Sequence, residues 1–363
     1  TDNIGLILMG VGASGLLSAL GHRGLAEIAL AAALLHLCCH ALFKGSLFLS
    51  AGSVQMATGT RDLDLLGGLM RRMPLTSAIF TVGAISISAL PPMCGFVSEW
   101  FLLQSFLHGL SASTTTTSIV LPIAVGVFAL TGGLTAAAFV KALGIGFLGL
   151  ARSKSASEAQ EVPHSMQAGA GFLALGCIGI GIAPSILLRG IENAVNLLSD
   201  NGPSRLVAHG WSVGVVGFRG ILAPAFVGLL LAVFVGLVGI IRRNLHIPVL
   251  RRTEAWGCGR ELQTARMEYT ATSFAEPLQR VFDNVLRPDL DLDLSHAAES
   301  RYFVRSIEVR SQVQDALERH GYRPVFSAVR WWGDKAKWLQ NGSLHRYLTY
   351  GLIALVVILV SVS

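Results

Sequence analysis

Apolar residues fall into seven long runs, approximately 3–20, 26–56, 74–108, 119–150, 167–185, 222–241 and 345–362, with polar connections between them and one longer polar stretch at 243–344. A bilayer core about 30 Å thick needs roughly 20 mostly apolar residues per helix, so each run predicts a membrane-spanning helix. The second and fourth are long enough to tilt or to project beyond the bilayer. The third reads as two helices, Leu75 to Leu90 and Phe96 to Leu107, interrupted by Pro91-Pro92-Met93-Cys94-Gly95. Two consecutive prolines remove two backbone donors and restrict the residue before them, which ends a continuous helix there. Such a break is tolerated at membrane depth only where protein or a wet cavity satisfies the freed backbone groups. A short re-entrant hairpin or two separate helices are the alternatives.

Lys and Arg in the connections test the topology, because they accumulate on the cytoplasmic side near helix ends. One side carries Arg23, none in 109–118, and Arg189, Arg205 and Arg219; the other carries Arg61, Arg71, Arg72, Arg152, Lys154, Arg242, Arg243, Arg251 and Arg252. The second side is expected in the cytoplasm, and the alternation requires 74–108 to cross once. Composition agrees: 52% hydrophobic residues, 14% charged, and a mean hydropathy of +0.58 exclude an ordinary soluble domain and a disordered chain. The net charge of +6 is carried next to apolar spans and in the polar stretch, so it reads as topology and not as a nucleic-acid surface. The expected fold is an all-α integral membrane protein, a polytopic transmembrane helix bundle with one proline-broken helix and a C-terminal amphipathic segment. The expected division is a bundle over 1–242, a cytoplasmic-side interface segment over 243–344 and a last transmembrane helix over 345–363. The start at Thr1, immediately ahead of an apolar span, suggests the back part of a longer protein.

Within 243–344, Phe303, Val304, Ile307, Val313, Ala316 and Leu317 recur at roughly helical spacing between arginines, which predicts an amphipathic helix from Tyr302 to Leu317. With Trp331, Trp332, Lys335, Lys337 and Trp338 following, the segment has the composition of one lying in the membrane interface or against partner subunits; an ordinary solvated linker is the alternative. The Ser113–Ser118 tract of hydroxyl residues reads as a loop.

An ionisable group inside the bilayer costs several kcal/mol by most scales, so each one in a span is a functional candidate. His36, His40 and Lys44 follow at i, i+4 and i+8 on the second span and share one helix face. Histidine titrates near neutral pH and desolvation makes lysine switchable, so the three suggest part of a proton path; inter-helix hydrogen bonding by the histidines and snorkelling by Lys44 are the alternative. Glu99 follows the break, where a helix N-terminus favours a carboxylate and backbone groups are freed, and suits a reversible proton acceptor; a capping role is its alternative. Lys141 lies well inside the fourth span, and snorkelling toward Arg152 is the alternative there. The five cysteines form no CxxC pair, and phosphate loops of the Walker type and HExxH are absent. The sequence therefore gives no metal site, no cofactor and no catalytic redox centre in this chain.

The stretch His36-x-x-x-His40-Ala41-Leu42-Phe43-Lys44-Gly45 and the stretch Ala89-Leu90-Pro91-Pro92-x-x-Gly95-Phe96-x-Ser98-Glu99 resemble the antiporter-like membrane subunits of respiratory complex I, Mrp antiporters and membrane-bound hydrogenases. Asp2-Asn3-Ile4-Gly5, Ala57-Thr58-Gly59-Thr60-Arg61-Asp62, Trp256-Gly257-Cys258-Gly259 and Arg266-Met267-x-Tyr269-Thr270-Ala271-x-Ser273-Phe274 narrow this to the hydrogenase-4 component B and formate hydrogenlyase subunit 3 branch. The resemblance implies inverted five-helix repeats, each with a broken helix, of which this chain would hold most of the second. It implies that His36, His40 and Lys44 lie on a central hydrophilic axis, that Glu99 is the key titratable group of the broken helix formed at Pro91, Pro92 and Gly95, and that Lys141 is on a neighbouring helix. It further implies a bacterial or archaeal cytoplasmic membrane, other membrane subunits as partners, and a hydrophilic redox arm carrying nickel-iron and iron-sulfur subunits. The function so implied is proton translocation coupled to redox turnover in those partners; sodium/proton antiport and a non-conducting scaffold are the alternatives.

Overall fold

The computed structural model describes residues 2–112, 114–198, 206–209, 212–215, 221–244, 259, 263–286, 289–297, 300–313, 318–337 and 342–362. The expected positions Arg205, Arg219, Arg251, Arg252, Trp256, Gly257, Cys258, Ala316, Leu317 and Trp338 lie outside the described residues. The chain divides into two units, Thr1–Phe274 and Ala275–Ser363.

The first unit is a helical bundle built around α2. Its helices are α1 (Asp2–Ala19), α2 (Arg23–Thr58), α3 (Leu69–Arg72), α4 (Pro74–Ile87), α5 (Cys94–Gly109), α6 (Thr115–Gly146), α7 (Lys154–Ser157), α8 (His164–Ile182), α9 (Ser185–Leu198) and α10 (Pro224–Asn244). Short antiparallel strands β1 (Leu206–His209), β2 (Ser212–Val215) and β3 (Ile221–Leu222) lie between α9 and α10. Among the described residues six helices are long and apolar enough to cross a membrane, namely α1, α2, α6, α8, α10 and the last helix of the chain. The remaining expected run, 74–108, is divided at the prolines into α4 (14 residues) and α5 (16 residues), as the proline-broken reading requires.

Without a hydrophobic drive between helices in lipid, close packing through small residues holds such a bundle. α2 buries Ala26, Ala29, Ala31, Ala32 and Ala33, and α1 approaches it at Gly10, where a Cβ would lie 2.9 Å from Ala33. α4 and α8 approach α2 in the same way: a Cβ on Gly83 would meet Leu47 at 2.8 Å and one on Gly176 would meet Leu42 at 3.1 Å. α2 stops because Gly59 takes the left-handed conformation (φ 72°), where its amide bonds the Gln55 carbonyl at 2.8 Å.

Of the hydroxyl tract expected as a loop, Ser113 lies outside the described residues and Thr115–Ser118 are helical instead. Thr114 caps α6 by accepting from the Thr117 amide (3.2 Å), while Thr117 Oγ1 accepts from the Thr114 amide (3.2 Å), so Thr115–Ser118 form the first turn.

The loops carrying Arg61, Arg71, Arg72, Arg152 and Lys154 gather at one end of this unit, as the charge count requires. Gly68 donates to the Leu148 carbonyl (2.9 Å) and Met70 to that of Phe147 (2.8 Å). At this end Glu161 caps α4, accepting from the amides of Leu75 (2.7 Å) and Thr76 (3.1 Å) and from the Thr76 hydroxyl (2.7 Å).

The helix α11 (Ala271–Val281) begins in the first unit and runs into the second, which continues with α12 (Asp283–Leu286), strands β4 (Asp289–Ala297) and β5 (Ser300–Gln312), and helices α13 (Arg323–Ala336) and α14 (Leu344–Val362). The amphipathic helix expected from Tyr302 is instead the antiparallel strand β5, paired in register Asp291 to Arg310, Leu292 to Val309 and Asp293 to Glu308. The reason is the strict alternation Asp289-Leu290-Asp291-Leu292-Asp293-Leu294, a period of two that offers Ser306-Ile307-Glu308-Val309-Arg310 a matching partner. An amphipathic helix of this region is α13, where Val325, Val329 and Trp332 recur at i, i+4 and i+7.

Candidate functional site: a polar axis beside the broken helix

α4 ends at Ile87 and α5 begins at Cys94. Between them the chain turns through Ala89, a non-glycine residue at φ 50°, and through Pro91 and Pro92. The junction leaves no room for side chains on its neighbours. A Cβ on Gly95 would collide with the Ser86 carbonyl oxygen, and one on Gly181 of α8 with the carbonyl of Pro92. The thiols of Cys94, Cys177 and Cys39 meet beneath the break, joining α5, α8 and α2, and Ser86 contacts Cys177. All three cysteines are fully buried, as expected of small apolar fillers.

Five residues into α5, Glu99 is buried at 8% exposure, and Ser98 beside it is fully enclosed. Ser98 is the link to α2. Its Oγ lies 3.0 Å from Nδ1 of His36, while Nε2 of His36 lies 3.1 Å from Oδ1 of Asn3 on α1. His36 has no exposed surface, so this imidazole is a buried bridge among three helices.

His40 and Lys44 follow on the same face but are half-buried. Phe43 stands edge-on to both histidines, at centroid distances of 6.1 Å (His36) and 5.6 Å (His40). Lys44 Nζ sits 5.8 Å from the ring centre of the exposed Phe48, a geometry in which an ammonium gains from the aromatic face.

Four residues that sequence reasoning did not single out as chemical complete the cluster: Asp2, Asn3, Ser98 and Thr135. Asp2 Oδ1 accepts from the Asn3 amide at 2.7 Å and Oδ2 from the Thr135 hydroxyl of α6 at 3.3 Å. Its charge acts on His36, His40, Lys44 and Glu99, so one carboxylate couples the α2 groups to that of α5. The polar chain thus runs Thr135, Asp2, Asn3, His36, Ser98, across α6, α1, α2 and α5. An ionisable residue within a span was the signal applied to the others; Asp2 carried that signal too, at the edge of the first run.

Lys141 is half-buried on α6, six residues beyond Thr135, a rise of about 9 Å. No hydrogen bond or ion pair joins it to Glu99 among the described residues. The structure therefore brings His36, His40, Lys44 and Glu99 together and leaves Lys141 farther along the neighbouring helix.

A second polar cluster secures the end of the unit that gathers the arginine-bearing loops. Arg152, with 9% of its side chain exposed, donates to the carbonyls of Leu66 (2.8 Å), Ile145 (3.0 Å) and Tyr269 (2.9 Å) and pairs with Glu268 at 3.5 Å. Asp64 accepts from the Ala271 and Thr272 amides (2.6 and 3.2 Å) and from the Thr272 hydroxyl (2.6 Å), capping α11. Burial alone would raise the Asp64 pKa, but the Thr272 and Ala271 donors stabilise the ionised form and hold it below the ordinary carboxylate value. Through these bonds the Arg266–Phe274 motif is pinned to the C-terminal end of α6 and to the loop after α2. Among the described residues no group of three or more His, Cys, Asp or Glu is placed to hold a metal ion.

Residues 14–125 match the family described as NADH:quinone oxidoreductase/Mrp antiporter, transmembrane. An uncharacterized protein of Mycobacterium tuberculosis is 43% identical over 362 residues, covering 99% of this chain and 57% of its own length. Hydrogenase-4 component B of Escherichia coli (strain K12) is 33% identical over 366 residues, covering 100% of this chain and 54% of its own. The solved membrane-bound sulfane sulfur reductase, an archaeal respiratory membrane complex, contains a chain that superposes with a TM-score of 0.62 at 20% identity, over 99% of this chain and 55% of that one. That likeness speaks for the fold. The chain spans about half the length of the curated relatives it matches.

Proposed function

With residues 14–125 belonging to the NADH:quinone oxidoreductase/Mrp antiporter family of membrane proteins, we propose that this chain is the ion-translocating part of an antiporter-like subunit in a membrane-bound hydrogenase or formate hydrogenlyase complex. The observation that carries the reading is the polar chain from the half-buried Asp2 through the buried Asn3, His36 and Ser98 to the neighbouring, buried Glu99. Buried polar and ionisable groups inside a membrane bundle are costly, and a connected row of them beside a broken helix supplies proton-exchanging groups at membrane depth.

In this reading Glu99 is the reversible proton acceptor at the break. Lys44, His40 and His36 exchange protons along α2, and Lys141 extends the path along α6. Asp2 is the shared counter-charge: neutralising or charging any one of its neighbours alters the balance felt by the rest, so the set titrates as a unit. Redox turnover in a hydrophilic arm carrying nickel-iron and iron-sulfur subunits would shift charge near these helices and drive the exchange, with other membrane subunits completing the path. The similarity to hydrogenase-4 component B supports the choice of complex. The complex would sit in a bacterial or archaeal cytoplasmic membrane, with the arginine-rich loops facing the cytoplasm.

A sodium/proton exchange reading is favoured by the Mrp antiporter part of the family description and by the presence of two carboxylates, Asp2 and Glu99, in one cluster. Ion uptake by sealed vesicles holding the intact complex separates the two. Proton uptake that persists without sodium and falls on Glu99→Gln in an assembled complex supports the first reading; strict dependence on sodium transfers the site to the second.

A further inference from the structure

A groove of about 470 Å³ runs along the seam between α4 and α8 on the outside of the first unit. Its floor is closed by Ile79, Ala170 and Ala174, which pack together with Val82, and a Cβ on Gly171 would lie 3.7 Å from Ile79. Its rims are open: Leu75 is 48% and Leu175 68% exposed, and Ala78 and Ala168 are exposed beside them. On α8 the lining runs from His164 to Ile178, about 21 Å of helix, so the volume leaves a mean section of about 22 Å². A helix with its side chains is about 10 Å across, a section of about 80 Å². The groove is too narrow to take a helix into it and has the width of a single extended hydrocarbon chain.

The two ends of the groove differ in chemistry. Toward Val82 and Ile178 the lining is apolar throughout, while the end at the start of both helices carries His164 and Gln167. The Gln167 amide nitrogen is committed to Glu161 Oε2 (3.2 Å) and the Val162 carbonyl (2.9 Å), so its oxygen accepts from Nδ1 of His164 (3.0 Å). Nε2 of His164 is left without a hydrogen bond among the described residues. Arg71 and Arg72 of α3 stand just ahead of α4, exposed and with no hydrogen bond or ion pair among the described residues. The Cα of Arg72 lies within about 11 Å of that of Leu75, three residues on. Their charge is not cancelled locally: Glu161 spends its oxygens on Leu75, Thr76 and Gln167, and Glu158 pairs with Lys154 at 3.8 Å.

We infer that an anionic phospholipid occupies this groove, with one acyl chain along the seam of α4 and α8 and its phosphate at the arginine-bearing end, held by Arg71, Arg72 and Nε2 of His164. A basic mouth on an apolar cleft between membrane helices is the chemistry that recognises such a headgroup. The chain then bridges two helices whose far ends meet at the break, since α4 stops at Ile87 and Gly181 of α8 abuts the carbonyl of Pro92. The inference takes from the proposed function only the leaflet, the cytoplasmic one, and its test is read without ion transport, so the two fail separately.

The test reconstitutes the intact complex in vesicles of phosphatidylglycerol and phosphatidylcholine, one of the two carrying a photoreactive diazirine in an acyl chain. After irradiation the labelled peptides are mapped by mass spectrometry. Label is expected in 75–82 and 168–178, and its absence from both segments overturns the proposal and gives the groove to a partner subunit. Two arginines on an anionic headgroup correspond to a preference for phosphatidylglycerol of about 30-fold; equal labelling by the two lipids overturns the headgroup assignment. Ala168→Phe puts a ring into the groove from an exposed position and is expected to lower the label in these segments several-fold, whereas Val127→Phe on the exposed face of α6 leaves it unchanged. Undiminished label in Ala168→Phe means contact with bulk lipid only and overturns the site. The double variant Arg71→Gln, Arg72→Gln is expected to keep the label while losing the preference; a preference that survives in it overturns the role of the arginines.

Discussion

Replacing Gly95 by alanine perturbs the junction on which the site depends. Gly95 opens α5 against the end of α4: a Cβ there would collide with the Ser86 carbonyl oxygen, lie 3.0 Å from its carbonyl carbon and come 3.7 Å from the Ala89 Cα. These are backbone atoms fixed in a helix end, so no side-chain rotation relieves the contact; α4 and α5 must separate instead. Overpacking of this kind costs about 1–3 kcal/mol, a change of roughly 5- to 150-fold in the folding equilibrium. The helix preference of alanine over glycine works in the opposite direction by about 0.5–1 kcal/mol. Gly12→Ala on α1, where a Cβ meets nothing within 4 Å, isolates that favourable term. The Ser86 carbonyl also accepts from the Ala89 amide at 3.2 Å, a bond the displaced chain would lose. Thermal unfolding of the purified complex and hydrogen exchange across 86–98 are the assays. Gly95→Ala is expected to lower the unfolding temperature and to speed exchange at Ala89, while Gly12→Ala does neither. Equal stability of the two variants would refute the close approach of α4 and α5.

Arg152→Ala removes the donor to three carbonyls at one end of the bundle; leaving buried carbonyls unpaired costs about 1–3 kcal/mol, and hydrogen exchange in 263–272 should accelerate. Arg152→Lys keeps the charge without the planar fork and should rescue only part of the effect; wild-type exchange in Arg152→Ala would show that the clamp contributes nothing. Glu161 is held below the ordinary carboxylate pKa: burial opposes this, but the Thr76 hydroxyl, the Thr76 and Leu75 amides and Gln167 outweigh it. A depressed folded pKa means that the stabilisation is complete above the ordinary carboxylate range and is lost as pH falls through that range and below it. Asp64 follows the same sign. Exchange at Leu75, Thr76, Ala271 and Thr272, corrected for its intrinsic pH dependence, should therefore rise on acidification; Glu161→Gln should remove the response at Leu75 and Thr76 alone.

Much of the site was legible because the bilayer makes its demands locally. Two adjacent prolines end a helix wherever they stand, and charges inside a 20-residue apolar run are conspicuous without any partner, so the break and the positions of His36, His40, Lys44 and Glu99 on their helices followed from the sequence. Asn3, Ser98 and Thr135 were not legible, because a neutral polar residue in a span is ordinary until the fold brings a partner to it, and theirs lie on other helices. Asp2 was the readable omission: a carboxylate at the edge of an apolar run looks like an end group, whereas its bond to Thr135 and its action on four ionisable neighbours place it in the cluster. The strand at Ser300–Gln312 shows a different limit. Its apolar spacing fits a helix as well as a strand over a short window, and the choice was made by β4, whose alternating Asp and Leu residues supply a partner at the period of a strand. The first turn of α6 was hidden by composition, because a run of threonines reads as loop until the reciprocal bonds of Thr114 and Thr117 are counted.

The central claim is that the polar chain ending at Glu99 moves ions. The most direct test is ion uptake by sealed vesicles containing the intact complex, wild type against Glu99→Gln, with assembly and redox turnover followed in the same preparations. The account predicts that uptake is lost or strongly reduced in Glu99→Gln while the complex remains assembled. Unchanged uptake in an assembled Glu99→Gln complex would contradict it and leave these helices with a scaffolding role.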